Sequence, residues 1–363
     1  MSDKTKFFLA SNTRRGFVSL FEEIRKPKDG NHLYILKGGP GSGKSFLMGK
    51  VADYLEKKGH KICYFPCASD PASIDAIIDY DSRIAIVDGT DPHSMEPKCP
   101  GAYDSIINMG EDWDQEYLRK NKDNIIKISN QKGKSHKAAS SCIRSASLLL
   151  KQNMTISKEQ INQGAIKAWI SRLTKEMSEK QSNTSSSTSW LGIEQKRLLS
   201  AVSVGETVFF ENTIKKFSYT PYVINDEWGS ASNLLLTQLH EYAIYNHIDV
   251  IVCYCSIRTP DKIDHLIFPG LEIAVTTSNS FHSINKEHAI SIYGLMNKTN
   301  KNALETMKRN LSSAKRLINA ASNHILQAKK LHDQLEEYYV TAMDFDKADR
   351  FYKKIINEIL KYE

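Results

Sequence analysis

The strongest constraint on the fold of this 363-residue chain is that its two halves resemble each other. At an interval of 188 residues, Tyr34, Gly41, Ser42, Leu47, Tyr54 and Cys67 correspond to Tyr222, Gly229, Ser230, Leu235, Tyr242 and Cys255. After one inserted residue the interval is 189, and it pairs Pro71, Ile74, Asp75 and His93 with Pro260, Ile263, Asp264 and His282. A repeat of this length indicates duplication of a whole domain rather than a solenoid.

The duplication predicts two tandem domains of one plan. We expect a first domain at residues 1–181, a Ser/Thr-rich linker at 182–189 and a second domain at 190–363. Each domain is expected to begin with a short segment, 6–24 or 196–214, and to end in a helical tail, roughly 114–181 or 300–363. The interval of 189 also pairs Met154 with Met343, which predicts that the tails correspond in that register.

Three short apolar runs in the first half predict buried strands. They are LYILK at 33–37, ICYFPC at 62–67 and RIAIVD at 83–88. Continuous β-branched runs of this kind are typical of parallel sheets, in which crossover helices join the strands. The segment after the first run places Leu47, Val51, Tyr54 and Leu55 on one helical stripe that can lie on a sheet.

The stretch GGPGSGKS at 38–45 fits the pattern G-x-x-x-x-G-K-[ST] between a predicted strand and a predicted helix. Its glycines let backbone N–H groups turn toward an anion, and the positive end of the helix adds to that attraction. Lys44 is predicted to contact the β- and γ-phosphates of ATP, and Ser45 to ligate Mg²⁺. The predicted nucleotide-binding residues are Gly38, Gly39, Pro40, Gly41, Ser42, Gly43, Lys44, Ser45 and Phe46.

A site of this kind also needs a carboxylate at the end of a neighbouring strand to hold Mg²⁺. Asp88, which ends RIAIVD, is predicted to supply it together with Ser45. In the following segment DGTDPHSMEP, Asp91, His93 and Glu96 are candidates to position a water or an acceptor hydroxyl. Asp91 is preferred because ligands of open α/β sheets bind at the carboxyl ends of strands. The predicted catalytic residues are therefore Lys44, Asp88 and Asp91.

Two further residues of the first half allow two interpretations each. Asp70 follows the second run and either contacts a substrate or forms a turn before Pro71. His93 has a counterpart, His282, in a half that lacks the phosphate-binding residues. We therefore expect His93 to be structural or interfacial rather than catalytic.

The second half carries a degenerate copy of the loop. Asp226, Glu227, Trp228, Ser232, Asn233 and Thr277 stand in place of Gly38, Gly39, Pro40, Lys44, Ser45 and Asp88. The lysine, the hydroxyl and the metal-binding carboxylate are lost together, and acidic side chains stand where phosphates would approach, so like charges repel. Trp228 is expected to fill the space. We therefore predict a pseudo-domain. The expected fold class is α/β, with tandem duplicated P-loop NTPase-like domains that contain parallel sheets.

The composition narrows the expected cellular location and the expected partners. No apolar run approaches the length needed to cross a bilayer, and the start of the chain has no signal-peptide hydrophobic region, so we expect a cytoplasmic protein without membrane partners. The six cysteines are expected to be reduced thiols. The net charge is +7, and the basic stretch at 119–137 either contacts nucleic acid or is a solvated helix face. Its lack of aromatic residues favours the solvated face.

A family resemblance rests on the duplicated plan and on four segments. Three are in the first half, GGPGSGKS, DGTDPHSMEP and PGAYDSIINMGEDWD, and one is in the second, TPDKIDHLIFPGLEIAVTTSN. Over nearly its whole length the chain is similar to a family of largely uncharacterised bacterial P-loop ATPases, which are also described as nucleotide-kinase-like. The resemblance implies ATP binding at 38–45 and little about a substrate. The second half of that family commonly has its own P-loop, from which this chain departs at 226–233.

These observations predict a Mg-ATP-binding NTPase, a hydrolase with one working site, whose two halves pack on each other. One alternative is a phosphotransferase in which the loop at 88–103 or the helical tail closes over an acceptor. The other is a non-catalytic ATP-dependent binding module. Arg258 is either an arginine finger that the second half contributes to the first site or a surface arginine.

Overall fold

The computed structural model describes residues 4–25, 32–182, 192–259, 261–285 and 287–360. Apart from Ser182, which ends a helix, the predicted linker at 182–189 lies outside the described residues, as does Pro260. Within the described ranges no helix is long and apolar enough to cross a membrane.

The first half consists of a six-stranded sheet, a small β-ribbon and four helices. Its elements are β1 (Thr5–Lys6), β2 (Ala10–Thr13), β3 (Gly16–Ser19), β4 (His32–Lys37), α1 (Lys44–Lys57), β5 (Ile62–Pro66), β6 (Ile74–Asp79), β7 (Ile84–Asp88), β8 (Asp104–Asn108), α2 (Gln115–Lys120), α3 (Lys122–Lys158) and α4 (Gln163–Ser182). The three apolar runs are confirmed as β4, β5 and β7.

The sheet of the first half has the strand order β1-β5-β6-β7-β4-β8. β4 pairs in parallel with β7 and β8, as the sequence predicts, whereas β6 runs antiparallel to both β5 and β7. The prediction of parallel sheets is therefore only partly correct. The connections on either side of β6 are too short for the crossover that a parallel pair requires, so β6 can only pair in antiparallel fashion.

The second half repeats this architecture. Its elements are β9 (Glu194–Arg197), β10 (Ser200–Val202), β11 (Thr207–Phe209), α5 (Glu211–Phe217), β12 (Tyr222–Asn225), α6 (Ser230–Tyr245), β13 (Val250–Tyr254), β14 (Ile263–Phe268), β15 (Ile273–Ser278), β16 (Ile290–Ile292), α7 (Lys301–Ala342) and α8 (Phe345–Ile359). The sheet order is β16-β12-β15-β14-β13-β9, the order of the first sheet read in reverse, and β14 is again the antiparallel strand. Mixed α/β domains with helical tails are thus confirmed.

The two sheets pack on each other through a common core. Leu33 and Ile35 of β4 lie in one buried cluster with Val223 of β12 and Ile251 of β13. At the contact, Phe8 and Leu198 exchange backbone hydrogen bonds of 2.7 and 3.0 Å. These residues hold the same place in the segments 6–24 and 196–214. The halves are therefore related by a local pseudo-two-fold axis at this contact. The prediction that they pack together is confirmed.

The long helices α3 and α7 form an antiparallel pair. α7 buries Met307, Ala314, Ala321, Ala328 and Leu335 at intervals of seven residues, which produces one continuous apolar seam. The amide of Asn153, near the end of α3, donates to the carbonyl of Met307, near the start of α7, at 2.9 Å. Small alanine side chains at the seam allow the helices to approach closely.

The final helix of each half packs on the opposite half. Ile355 and Ile359 of α8 lie in the cluster that contains Met48 and Val51 of α1. Trp169, Leu173 and Met177 of α4 lie with Leu235 and Leu239 of α6. Each tail therefore completes the hydrophobic core of the other half, and the boundaries at 181 and 190 do not separate two independent packing units.

A pair of equivalent hydrogen bonds gives the register of the tails. Tyr34 of β4 donates to Glu358 of α8 at 2.7 Å, and Tyr222 of β12 donates to Glu176 of α4. Glu358 follows Glu176 by 182 residues, not 189. The pairing of Met154 with Met343 is therefore wrong by one seven-residue repeat; Met343 is the counterpart of Ile161, and the two residues form equivalent bridges to Trp113 and Met296.

Candidate functional site

The loop at 38–45 connects β4 to α1 at the carboxyl edge of the first sheet. Gly41 and Gly43 have φ angles of 69° and 84°, in the left-handed region that favours glycine. Gly43 caps α1, and Lys44 is its first residue. β7 lies beside β4 in parallel, so Asp88 at the end of β7 lies beside the loop.

Lys44 and Asp88, which the sequence predicts to act together, are brought together. The Lys44 ammonium lies 3.5 Å from the Asp88 carboxylate and donates to the carbonyls of Gly38 and Gly39, each at 2.8 Å. The other Asp88 oxygen accepts from the N–H and hydroxyl of Thr90, at 3.0 and 2.5 Å. The lysine is buried and folded back on its own loop, within reach of an anion that would displace those carbonyl contacts.

Ser45 and Phe46 differ in their surroundings. The Ser45 hydroxyl oxygen accepts from the N–H of Ile74 at 2.8 Å. In the equivalent place, the side-chain carbonyl of Asn233 accepts from the N–H of Ile263 at 3.3 Å. This contact joins the loop helix to the antiparallel strand in both halves, so it does not depend on phosphate binding. Phe46 is 76% exposed at the surface beside the loop.

The acids after β7 have separate environments. Asp91 is exposed, whereas the Glu96 carboxylate pairs with the Lys37 ammonium at 2.7 Å. Asp70 accepts from the N–H of Ala72 at 3.3 Å, as in a turn, and lies 3.3 Å from the Lys329 ammonium of α7. Of Asp91 and Glu96, the two acids predicted to position a water, only Glu96 forms an ion pair within the described part of the chain.

Asp75, the counterpart of Asp264 in the repeat, is a buried acid that was not predicted to belong to the site. Burial, reinforced by the negative charge of Asp88, raises the pKa of Asp75 to about 8. His93 Nε2 lies 4.0 Å from its carboxylate, and the His93 ring stacks on Phe21 with centroids 4.5 Å apart. Burial lowers the pKa of His93. A signal for Asp75 was present, because an acid interrupts the apolar strand IDAIID and recurs as Asp264.

Helix α7, from the second half, covers the first loop. The Glu336 carboxylate lies 3.4 Å from His332 Nε2. The hydrogen bond from His332 is the largest cause of the lowered pKa of Glu336, and the nearby Gly41 N–H is the smallest of the causes that lower it. A Cβ on Gly39 would lie 2.9 Å from the Tyr339 ring, and one on Gly41 would lie 2.8 Å from Val340. Helix α7 therefore lies directly against the backbone of the loop, with the Glu336 carboxylate nearby.

Helix α3 contributes a second lysine to this region. Burial lowers the pKa of Lys132, while the negative charges of Asp91 and Glu336 oppose that shift. Lys132 lies inside the basic stretch at 119–137, but its half-buried position sets it apart from a fully solvated helix face. No local motif marks Lys132 or Glu336, because tertiary packing brings them to the loop.

The second loop is filled by its own acid. Asp226, which replaces Gly38, is buried, and one carboxylate oxygen accepts from the N–H groups of Trp228 and Gly229 at 3.0 and 2.8 Å. The other oxygen accepts from the N–H of Ser232 at 2.8 Å. The Glu227 carboxylate turns away to the hydroxyl of Ser280 at 2.6 Å. The amide groups that would receive a phosphate are therefore bonded to a carboxylate of the loop itself.

Arg258 fits neither sequence interpretation. It is 1% exposed, so the surface assignment is wrong. Its guanidinium donates to the carbonyl of Glu227 at 2.8 Å and lies over the Phe281 ring. Arg258 thus contacts the second loop rather than the first.

The six cysteines are free thiols, as expected.

A buried polar cluster lies below the second loop. Lys262 precedes β14, pairs with Asp264, and its side chain would contact a Cβ on Gly229 at 2.8 Å. Burial opposes ionisation of Asp264, but the Lys262 ammonium holds its pKa well below the usual range. Burial lowers the pKa of His282 to about 4. Asp264, His265 and His282 could approach one ion, but the Lys262 ammonium already neutralises the carboxylate.

The comparisons with known proteins give one partial match. The family described as Nephrocystin 3, N-terminal, matches residues 18–77, which contain the first loop, α1 and β5. This segment is less than half of the chain. No curated protein matches the sequence significantly. No solved structure does so either.

Proposed function

We propose that this protein is a Mg-ATP-binding P-loop NTPase with one nucleotide site, at 38–45, and a degenerate second site. The observation that carries the proposal is the contrast between the loops. In the first, a lysine lies 3.5 Å from a strand-end carboxylate and the loop has no acid of its own. In the second, Asp226 takes three N–H groups. The bacterial P-loop ATPase family remains the proposed relative; the Nephrocystin 3 match covers the same loop without naming that family.

The residues of the first loop fit a nucleoside triphosphate bound with Mg²⁺. The Lys44 ammonium would exchange the carbonyls of Gly38 and Gly39 for phosphate oxygens, a stronger charge-assisted contact. Ser45 and Asp88 offer the oxygen ligands that Mg²⁺ prefers. Bound Mg²⁺ would neutralise charge that develops on the phosphates.

Proton transfer in the proposed reaction favours Asp91 over Asp75. With its pKa raised to about 8, Asp75 is mostly protonated at neutral pH, so only a minor fraction of it is available to accept a proton from an attacking water. Asp91 is exposed on the loop that follows β7, at the edge where the phosphates would lie. Asp75 instead acts as a neutral hydrogen-bonding group beneath Asp88.

The test is calorimetric titration with Mg-ATP, followed by assay of phosphate release. Lys44→Ala is expected to abolish binding, whereas Ser232→Ala at the equivalent place in the second loop is expected to leave it unchanged. Binding without release of phosphate would refute hydrolysis but not the site. Binding that survives Lys44→Ala and is lost on changing Trp228 would refute the assignment of the site.

A second candidate function is a nucleotide-controlled binding module, and the contact of α7 with the loop favours it. A nucleotide that displaces Glu336 and Tyr339 would move α7 against α3 and so alter a surface far from the site. A partner that binds the nucleotide-loaded protein more tightly, with no phosphate released, would support this function. The predicted phosphotransferase would instead release phosphate slowly and transfer it when an acceptor is added.

A further inference from the structure

Positive charge is concentrated on the paired helices α3 and α7. We define the basic helix pair as residues 122–158 of α3 together with 301–330 of α7. It contains 15 lysines and arginines and two acids, Asp123 and Glu305. All other residues together contain 34 basic and 40 acidic side chains. The net charge of +7 therefore hides a strongly positive helix pair on an acidic body.

Within the described residues, few of these charges are paired with acids. Among the described residues, Lys329 is the one member of the pair with an acid within ion-pair distance, Asp70 and Asp333. Thirteen of the basic residues are exposed; the exceptions are Lys132 and Lys329. A folded chain gains nothing from clustering like charges, since they repel one another. Their concentration on one pair of helices suits a negatively charged partner.

The spacing of the basic residues is regular. Lys137, Arg144, Lys151 and Lys158 follow one another at seven residues on α3, as do Lys301, Lys308 and Lys315 on α7. Seven residues correspond to about 10.5 Å of helix, so each series forms a row of cations along the helix. At 37 residues, α3 is about 55 Å long, enough to lie along many successive phosphates of a duplex.

The chemistry of the surface favours nucleic acid over a membrane. The exposed large apolar residues of the pair, Ile126, Leu148 and Leu326, are widely separated along the sequence. Neither segment contains an aromatic residue. A membrane-surface helix needs an apolar face that enters the lipid, and single-stranded nucleic acid is held by aromatic stacking. A duplex backbone needs only cations and neutral hydrogen-bond donors, and serine, asparagine and glutamine are frequent between the lysines.

We propose that the basic helix pair binds the phosphate backbone of a nucleic-acid duplex without reading its sequence. Binding is expected to weaken steeply with salt, because cations released from the duplex drive association. The inference is independent of the nucleotide site, since none of the exposed lysines belongs to the loop at 38–45.

The experiment measures fluorescence anisotropy of a labelled 24-base-pair duplex, as DNA and as RNA, across a salt series. The test variant replaces five exposed lysines of the pair with glutamine: Lys137, Lys151, Lys158, Lys308 and Lys315. The matched control replaces five exposed lysines elsewhere: Lys57, Lys61, Lys167, Lys175 and Lys354. The test variant should bind on the order of 100-fold more weakly and with a shallower salt slope, while the control stays within about 3-fold of wild type.

Three results would overturn the proposal. Equal weakening in the control would mean that net charge alone governs binding. Undetectable binding of either duplex by the wild-type protein at low salt would exclude the partner. Binding to vesicles that contain phosphatidylserine, without binding to a duplex, would assign the surface to a membrane. Circular dichroism melting of both variants confirms that they are folded, because the ten positions are exposed.

Discussion

The contact between Glu336 and the first loop predicts that removing one carboxylate tightens nucleotide binding. The Glu336 carboxylate lies near enough to the Gly41 N–H for that group to lower its pKa, and in the proposed site the same N–H would face a phosphate. Two unit charges 4 Å apart repel by about 1 kcal/mol in water and about 4 kcal/mol at the effective dielectric of a protein surface. The Glu336 side chain is 39% exposed, so solvent screening places the effect near the lower value, at about 1–2 kcal/mol.

Glu336→Gln keeps the size of the side chain and removes its charge, so Mg-ATP is expected to bind about 5- to 30-fold more tightly. Isothermal titration calorimetry measures the change. Glu337→Gln is the matched control, because Glu337 is the next residue of α7 and is exposed to solvent. Unchanged or weaker binding by Glu336→Gln would refute the reasoning, and so would an equal gain from Glu337→Gln.

Three further predictions concern stability. Asp226→Asn leaves fewer charge-assisted bonds to the second loop and should lower the free energy of unfolding by about 1–3 kcal/mol in urea titrations; an unchanged midpoint would contradict the role of Asp226. The pKa of Asp75 is higher in the folded protein than in the unfolded chain, so the folded state binds the extra proton, and this group's contribution to stability falls as pH rises from about 4 to about 8. Asp75→Asn should therefore lose less stability than wild type between about pH 5 and about pH 8, and parallel losses would refute the assignment. Ile355→Ala should cost about 2–5 kcal/mol and reduce hydrogen-exchange protection in α1 but not in α6; reduced protection in α6 alone would contradict the exchange of tails.

The sequence predicted the parts of the fold that depend on local patterns. Three apolar runs predicted β4, β5 and β7, and the glycine-lysine motif predicted the turn from β4 into α1. β6 was missed, although IDAIID has a strand-like composition, because the expectation of a parallel sheet left no place for it. The pairing of Lys44 with Asp88 was predictable because Asp88 ends β7, and Lys44 follows the loop that leaves β4, the parallel neighbour of β7.

The packing of the tails was not predictable from local patterns. Because the helices repeat every seven residues, intervals of 182 and 189 residues between the two tails give nearly equivalent sequence patterns. The interval of 189 was predicted, and it is wrong. Glu336 was missed because it lies almost 300 residues from Gly41, in the half that lacks the lysine of the glycine-lysine motif. Asp226 was identified as an obstacle, but its bonds to three amides depend on loop geometry that composition does not contain.

The exchange of tails explains why the first half needs the second for its hydrophobic core, although the second loop lacks the lysine of the motif. α8 supplies buried isoleucines to the side of the first sheet that carries α1, while β12 and β13 cover its opposite face. A protein truncated after the first half would expose both faces of that sheet. It would also leave α4 without α6, the helix on which it packs. The loop of the second half can therefore vary, whereas deleting that half would remove part of the hydrophobic core of the first.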